Sequence, residues 1–184
     1  VLKVTNVPIG QFTIAVSGGI DSISLANYLF NGKRQFNVIH FNHNTQHSQH
    51  AEDFVYEWCK ERNLSLSIRY YVGHPSENAW ARWRNEIMQS HENPVLTAHH
   101  MDDSVESYLM RGKPIAPRNR NIVRPFIFTT REDIVNYAIN NIEWVDDPSN
   151  MDTSYRRNKI RHELLPLMRK CGINPYNLIK EKQT

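Results

Sequence analysis

Ser17-Gly18-Gly19-Ile20-Asp21-Ser22 follows the apolar run Ile14-Ala15-Val16 and opens an amphipathic stretch that reaches about Phe30. At a strand-to-helix turn, Gly18 and Gly19 lack side chains and are free to take positive φ. Backbone N–H groups there converge on an anion at the positive end of the helix. Ser17 and Ser22 add hydroxyl donors, so the chemistry of this turn is phosphate binding. The spacing is not Gly-x4-Gly-Lys-Ser/Thr, which excludes the nucleotide-triphosphatase P-loop, and no Gly-x-Gly-x-x-Gly supports a dinucleotide site.

Three further groups carry chemistry. His99-His100-Met101-Asp102-Asp103-Ser104-Val105-Glu106 runs from a strand end into a helix. Asp103 and Glu106, three apart, share a helix face and could grip an ammonium group or Mg2+ from an open cleft. Asp102 equally suits an N-cap, and Glu106 a first-turn acid that complements the helix dipole. His99 or His100 beside a phosphate turn could stabilise a leaving group. In His40-Phe41-Asn42-His43, continuing to His47 and His50, the spacings of three and four suit metal ligands. No Cys stands beside them, and contacts to nucleotide or nucleic acid fit better. Last, Arg157 and Arg161 lie four apart in Arg156-Arg157-Asn158-Lys159-Ile160-Arg161. They predict an exposed basic ridge, with Ile160, Leu164 and Leu167 packed inward.

The elements that must position these groups alternate. Apolar runs at Phe12–Val16, Val38–Phe41, Leu66–Val72 and Val95–Ala98 read as buried strands. Helical patterns lie at about Ile20–Phe30, Ala51–Arg62, Asn78–Ser90 and Asp102–Met110. A loop over 111–121, a short Val123–Phe128 strand, and helices at about Thr130–Asn140 and Arg156–Met168 follow. Strand-helix alternation implies an α/β fold with an open, doubly wound parallel sheet flanked by helices. Ligands then sit beyond the carboxyl ends of the strands, where Ser17, His40–His43 and His99-His100 cluster.

The 184 residues are enough for one domain with a substantial core. No apolar run of about eighteen residues is present, nor the charged and apolar regions of a signal peptide, which predicts a cytoplasmic protein with no membrane partner. Cys59 and Cys171 form no CxxC and read as packed thiols. Charge is uneven: residues 1–110 carry 8 Lys/Arg against 11 Asp/Glu, and residues 111–184 carry 14 against 8. The basic part, with Arg111, Arg124, Arg131, Arg157 and Arg161, suits a polyanion.

SGGIDS resembles the pyrophosphate loop of the N-type ATP pyrophosphatases. With HFNH, TAHHMDDSVES, VRPF, DDPSN and RRNKIRHELLP in that order, residues of about 12–170 resemble the N-terminal catalytic domain of the tRNA(Ile)-lysidine synthetases. The resemblance implies a Rossmann-like adenine nucleotide alpha hydrolase fold, with a PP-loop ATP pyrophosphatase domain at 1–128 and a helical extension of it at 129–184. It implies ATP-driven adenylation of the wobble cytidine of tRNA(Ile) with a CAU anticodon, then attack by free L-lysine. On that reading Ser17, Gly18, Gly19, Asp21 and Ser22 bind ATP, and Asp21 also holds Mg2+ or orients the loop. Asp103 and Glu106 bind lysine; Asp21, His99, His100, Asp103 and Glu106 make up the catalytic set; Arg82, Arg84, Arg111, Arg124, Arg157 and Arg161 contact tRNA. Oligomeric state, a homodimer included, is left open. Three positions depart from the family pattern. Gln46 stands where Arg is usual, the ARxxRY helix is one residue out of step so that either Arg82 or Arg84 serves, and RGKPIAPRNRN replaces a Gly-rich segment. Family members also continue into C-terminal tRNA-recognising domains, so a sequence ending at Thr184 reads as a short form or a fragment. Base thiolation and non-catalytic tRNA binding are the competing readings.

Overall fold

The computed structural model describes residues 2–74 and 76–180, apart from the side chains of Gln46 and Ser149. The departure at Gln46 therefore lies outside the described side chains. In chain order the elements are β1 (Thr13–Ala15), α1 (Ile20–Asn31), β2 (Asn37–Asn42), α2 (Gln46–Glu61), β3 (Leu66–Tyr70) and α3 (Glu77–Ser90). Then come β4 (Val95–Leu96), α4 (Met101–Arg111), β5 (Arg118–Asn119), β6 (Ile122–Val123) and α5 (Arg131–Asn141). The chain ends in α6 (Arg156–Lys159), a π turn (Ile160–Leu164) and α7 (Leu165–Lys170), with short 3-10 turns at Pro148–Met151 and Pro175–Leu178.

The sheet order is β3-β2-β1-β4-β6-β5. All pairings are parallel except that of β5 with β6. The period of two along the strands sorts the core into two layers. Phe12, Ile14, Val16 and Val38 face Ile23, Leu29, Val55 and Trp58 of α1 and α2. Ile39, Phe41 and Val95 face the other way, against Trp83, Ile87 and Met88 of α3. Strand order reverses between β1 and β4, so the turns leaving these two strands splay apart and leave a crevice at their carboxyl ends. A third cluster joins Val105 of α4 to Ile160, Leu165 and Ile179, which carries the C-terminal helices onto α4. Among the described residues no helix is long and apolar enough to cross a membrane.

The α/β fold with a parallel, helix-flanked sheet is as expected; four local expectations are corrected. The strand expected over Val123–Phe128 ends at Val123, because Pro125 has no N–H to give a ladder. The chain turns instead, with Ile127 N donating to Arg124 O at 3.2 Å and Thr129 N to Phe126 O at 2.7 Å. Helix α2 begins five residues earlier than its apolar pattern, since Thr45 and Ser48 form a capping box that supports an extra polar turn. Leu164 and Leu167 are exposed while Leu165 is buried. Pro166 offers no N–H, the turn before it widens so that Leu165 N donates to Ile160 O five residues back, and the inward face rotates by one position. Both cysteines are free, but only Cys59 is buried; Cys171 is exposed just past α7.

Candidate active site

The phosphate turn is held by its own hydroxyls. Ser17 N donates to Ser22 Oγ at 3.1 Å, the two serine Oγ atoms lie 3.1 Å apart, and Ser22 Oγ donates to Gly19 O at 3.0 Å. Gly18 alone takes positive φ, at +91°, while Gly19 is extended at φ −74° and ψ 160° as the N-cap of α1. The expectation of positive φ thus holds at one glycine. No side chain caps α1, so its first amides point outward without an intrahelical acceptor. Behind the turn, Val145 N donates to Gly18 O at 3.0 Å, seating the segment that follows α5 on the loop.

Asp21, in the first turn of α1, accepts from Arg131 Nη1 at both carboxylate oxygens, at 3.1 and 2.9 Å. Its Oδ2 also lies 3.8 Å from His100 Nε2. His100, not Asp102, caps α4. His100 N donates to Asp103 Oδ2 at 2.9 Å, and Asp103 N donates to His100 Nδ1 at 3.4 Å. With Nδ1 accepting, the ring proton sits on Nε2. That buried atom has no hydrogen-bond partner and lies 3.4 Å from Asp103 Oδ2. Asp102 turns away and binds Arg131 N at 2.9 Å, Arg169 Nη2 at 2.9 Å and Tyr176 Oη at 3.2 Å.

Asp103 and Glu106 share a helix face, as their spacing requires, but neither is open to the cleft: their side chains are 8% and 1% exposed. Both are filled by the arginines expected to form an external ridge. Arg157 Nη2 donates to Asp103 Oδ1 at 2.5 Å and its Nε to Glu106 Oε2 at 2.6 Å. Arg161 donates from Nε to Glu106 Oε1 at 2.7 Å and from Nη2 to Asp103 Oδ1 at 3.0 Å. Two forks thus close on two carboxylates, a geometry matched to planar guanidinium. Burial on its own raises the pKa of Asp103. The neighbouring His100, Arg157, His99 and Arg161 outweigh it and hold the carboxyl well below the usual range. Burial likewise disfavours the charged form of Arg157, and Asp103 and Glu106 outweigh that and push its pKa up.

Burial favours the neutral form of three further histidines, His99, His43 and His40. His99 Nδ1 and Thr97 Oγ1 lie 2.9 Å apart, and burial pushes its pKa down to about 4. His43 Nε2 accepts from Arg84 Nη1 at 2.7 Å; burial, and then Arg84, bring that pKa down to about 4 as well. This contact separates the two arginines of α3: Arg84 points to the crevice and Arg82 is exposed. His40 Nδ1 bonds Val16 O at 2.8 Å beneath the phosphate turn. His47 and His50 stack at 6.5 Å and line an open cavity of about 600 Å³ with Trp144, Val145 and Asp146. Among the described residues no group of three or more His, Cys, Asp or Glu could hold a metal. Arg111 and Arg124 stand apart, around the 112–124 segment. Sequence reasoning missed Arg131 as the partner of Asp21, and Arg169 with Tyr176 as partners of Asp102. The only signal of the two arginines was charge, Tyr176 gave none, and no spacing linked any of them to its partner.

The sequence pattern of the PP-loop domain family matches residues 2–168. The chain belongs to the PP-loop domain family. A curated tRNA(Ile)-lysidine synthase of Aster yellows witches'-broom phytoplasma (strain AYWB) is 31% identical over 197 residues, covering 94% of this chain and 45% of the relative. That of Streptococcus equi subsp. equi (strain 4047) is 33% identical over 178 residues, covering 83% and 40%. The chain therefore spans less than half the length of these relatives. Among solved structures, the NH3-dependent NAD synthetase of Campylobacter jejuni aligns over 93% of this chain and 81% of its own with a TM-score of 0.56. At 14% identity that likeness supports the fold of the PP-loop domain alone.

The histidines give this PP-loop domain a distinctive acid response. Folded His43 and His99 stay neutral down to about 4, whereas the unfolded chain protonates them near 6.5. The unfolded state therefore binds more protons in that window, and stability falls as pH drops from about 6.5 toward 4. Urea unfolding midpoints measured between pH 7 and 4.5 are expected to fall steadily, with His43→Gln and His99→Gln flattening the slope. A midpoint independent of pH contradicts the assignment.

Proposed function

We propose that this PP-loop domain uses ATP to join lysine to carbon 2 of the wobble cytidine in tRNA(Ile) with a CAU anticodon, forming lysidine through an adenylated tRNA, in the cytoplasm. One juxtaposition carries the reading: an uncapped, glycine-turned helix N-terminus at the end of β1, and a buried carboxylate pair one strand away at the end of β4. The first suits a triphosphate and the second an amine. The lysidine synthases among the relatives supply the pairing of these two chemistries with tRNA.

In the proposed reaction the cytidine carbonyl oxygen attacks the α-phosphorus of ATP and pyrophosphate leaves. The ε-amine of lysine then attacks carbon 2, and the oxygen departs with AMP. Adenylation is what makes a poor leaving group leave. Ser17, Gly18, Gly19 and Ser22 hold phosphate, and the His100 Nε2 proton, poised between two carboxylates, is available to the reacting groups. Mg2+ fits as an ion carried mainly by phosphate oxygens, with Asp21 as its protein carboxylate; when bound it would neutralise charge on the triphosphate. Asp103 and Glu106 receive the lysine ammonium in place of Arg157, whose side chain is 47% exposed against 19% for Arg161, and one of the two carboxylates accepts its proton. Arg82, Arg84, Arg111 and Arg124, with Arg157 once it has left the carboxylates, supply cations for tRNA, while Arg161, expected from the sequence among them, stays on the acid pair. Cys59 does not support base thiolation, because burial pushes its thiol up to about 12 and leaves it protonated.

Mass analysis of nucleosides from tRNA(Ile) incubated with the protein, ATP, Mg2+ and lysine is expected to show lysidine only when all components are present. Its absence, or a thiolated base with a sulfur donor instead, overturns the proposal. Gly18→Val is expected to lower ATP affinity at least tenfold, since φ of +91° is closed to a β-branched residue. Unchanged affinity by calorimetry contradicts this account of the loop.

A further inference from the structure

A second cavity, of about 370 Å³, opens between α4 and the 112–124 segment, on the β6 side of β4. Arg111, Lys113, Arg118 and Arg124 stand in its wall, and no Asp or Glu does. Among the described residues none of these four cations has a carboxylate partner. Their side-chain hydrogen bonds go to neutral acceptors: Arg111 Nη2 donates to Ser107 Oγ at 3.2 Å, Arg118 Nε to Arg120 O at 2.9 Å and Arg124 Nη1 to Ala116 O at 2.9 Å. The Nε of Arg124 is buried with no acceptor.

Four like charges gathered without a counter-ion repel one another, and a buried donor left unmet is costly. The chain nevertheless fixes them in place. Ile115 N donates to Ser104 Oγ at 3.0 Å, Ser107 Oγ donates to Lys113 O at 2.8 Å, and Arg124 N donates to Pro117 O at 2.9 Å. A cationic cavity with no carboxylate in its wall is completed by an anion rich in oxygen acceptors. Its position selects the anion. Arg124 directly follows β6, and β6 pairs with β4 on the side away from β1, so the cavity lies across β4 from the phosphate turn.

We propose that this cavity is a phosphate site that takes a backbone phosphate of the RNA substrate, separate from the site that holds ATP. The inference rests on the RNA reading above and adds to it where the strand is gripped. Lys113 and Arg118 are both exposed, so the Lys113→Ala, Arg118→Ala double variant of the full chain should fold. Binding of tRNA(Ile) is measured across a NaCl series, with ATP affinity and the urea midpoint measured alongside. The expected result is a loss of about tenfold or more in tRNA affinity at low salt. The slope of log K against log salt should become shallower by roughly 0.7 to 0.9 for each phosphate that the variant no longer neutralises. ATP affinity and the urea midpoint should stay as in the parent. A parental tRNA affinity and slope in the variant overturn the proposal. So does a loss confined to ATP at an unchanged midpoint, which would make the cavity part of the nucleotide site. A parent protein that binds no tRNA at all overturns the RNA reading itself.

Discussion

Two carboxylates buried one turn apart on α4 cannot remain ionised unless cations come to them, and the rest of the site is arranged around that requirement. Removing a carboxylate from water costs several kcal/mol, and two like charges on one face add repulsion. Arg157 of α6 and Arg161 of the π turn that continues it, four residues apart, satisfy both carboxylates through donors at 2.5 to 3.1 Å. The matching of a spacing of three on one helix to a spacing of four on the other fixes the register between them. Ile160 and Leu165 then bury against Val105 in the register that the charges set.

From α4 the network runs outward in two directions. Asp102 ties the start of α5 and Arg169 to the same helix, and Arg131 at that start reaches Asp21 beside the phosphate turn. His100 joins Asp103 to the end of β4 through a mutual cap and faces Asp21 across the crevice. The phosphate turn and the acid pair are thus linked through Asp21, Arg131, Asp102 and His100. In the proposed reaction an entering amine meets an acid pair that already holds its charge complement. Arg157, half exposed, is the cation positioned to give way while Arg161 stays.

The fold was legible because its signals are local: four apolar runs, the glycine turn and the helical periods place β1 to β4 and α1 to α5 within a few residues. What escaped was set by non-local chemistry or by a single special residue. Pro125 cut a strand short, Pro166 opened a π turn that exchanged Leu164 for Leu165, and a Thr45–Ser48 box lengthened α2. At the site, Ser17, Gly18, Asp21, His100, Asp103 and Glu106 could be singled out from residue type and spacing. Their partners could not, since Arg131 is 110 residues from Asp21 and Arg161 is 55 from Glu106. The complementary spacings of Asp103/Glu106 and Arg157/Arg161 were visible in the sequence, but so was the reading of the arginines as a solvent-facing ridge.

The central claim is that the arginine forks and the buried carboxylates act as one energetic unit. A double-mutant cycle on Glu106→Gln and Arg161→Met, read by urea unfolding, tests it most directly. Strong coupling is expected, on the order of 2 kcal/mol, within the range found for contacting charged residues. Additivity within about 0.5 kcal/mol would mean that the two side chains contribute independently, and the account of the site would fail.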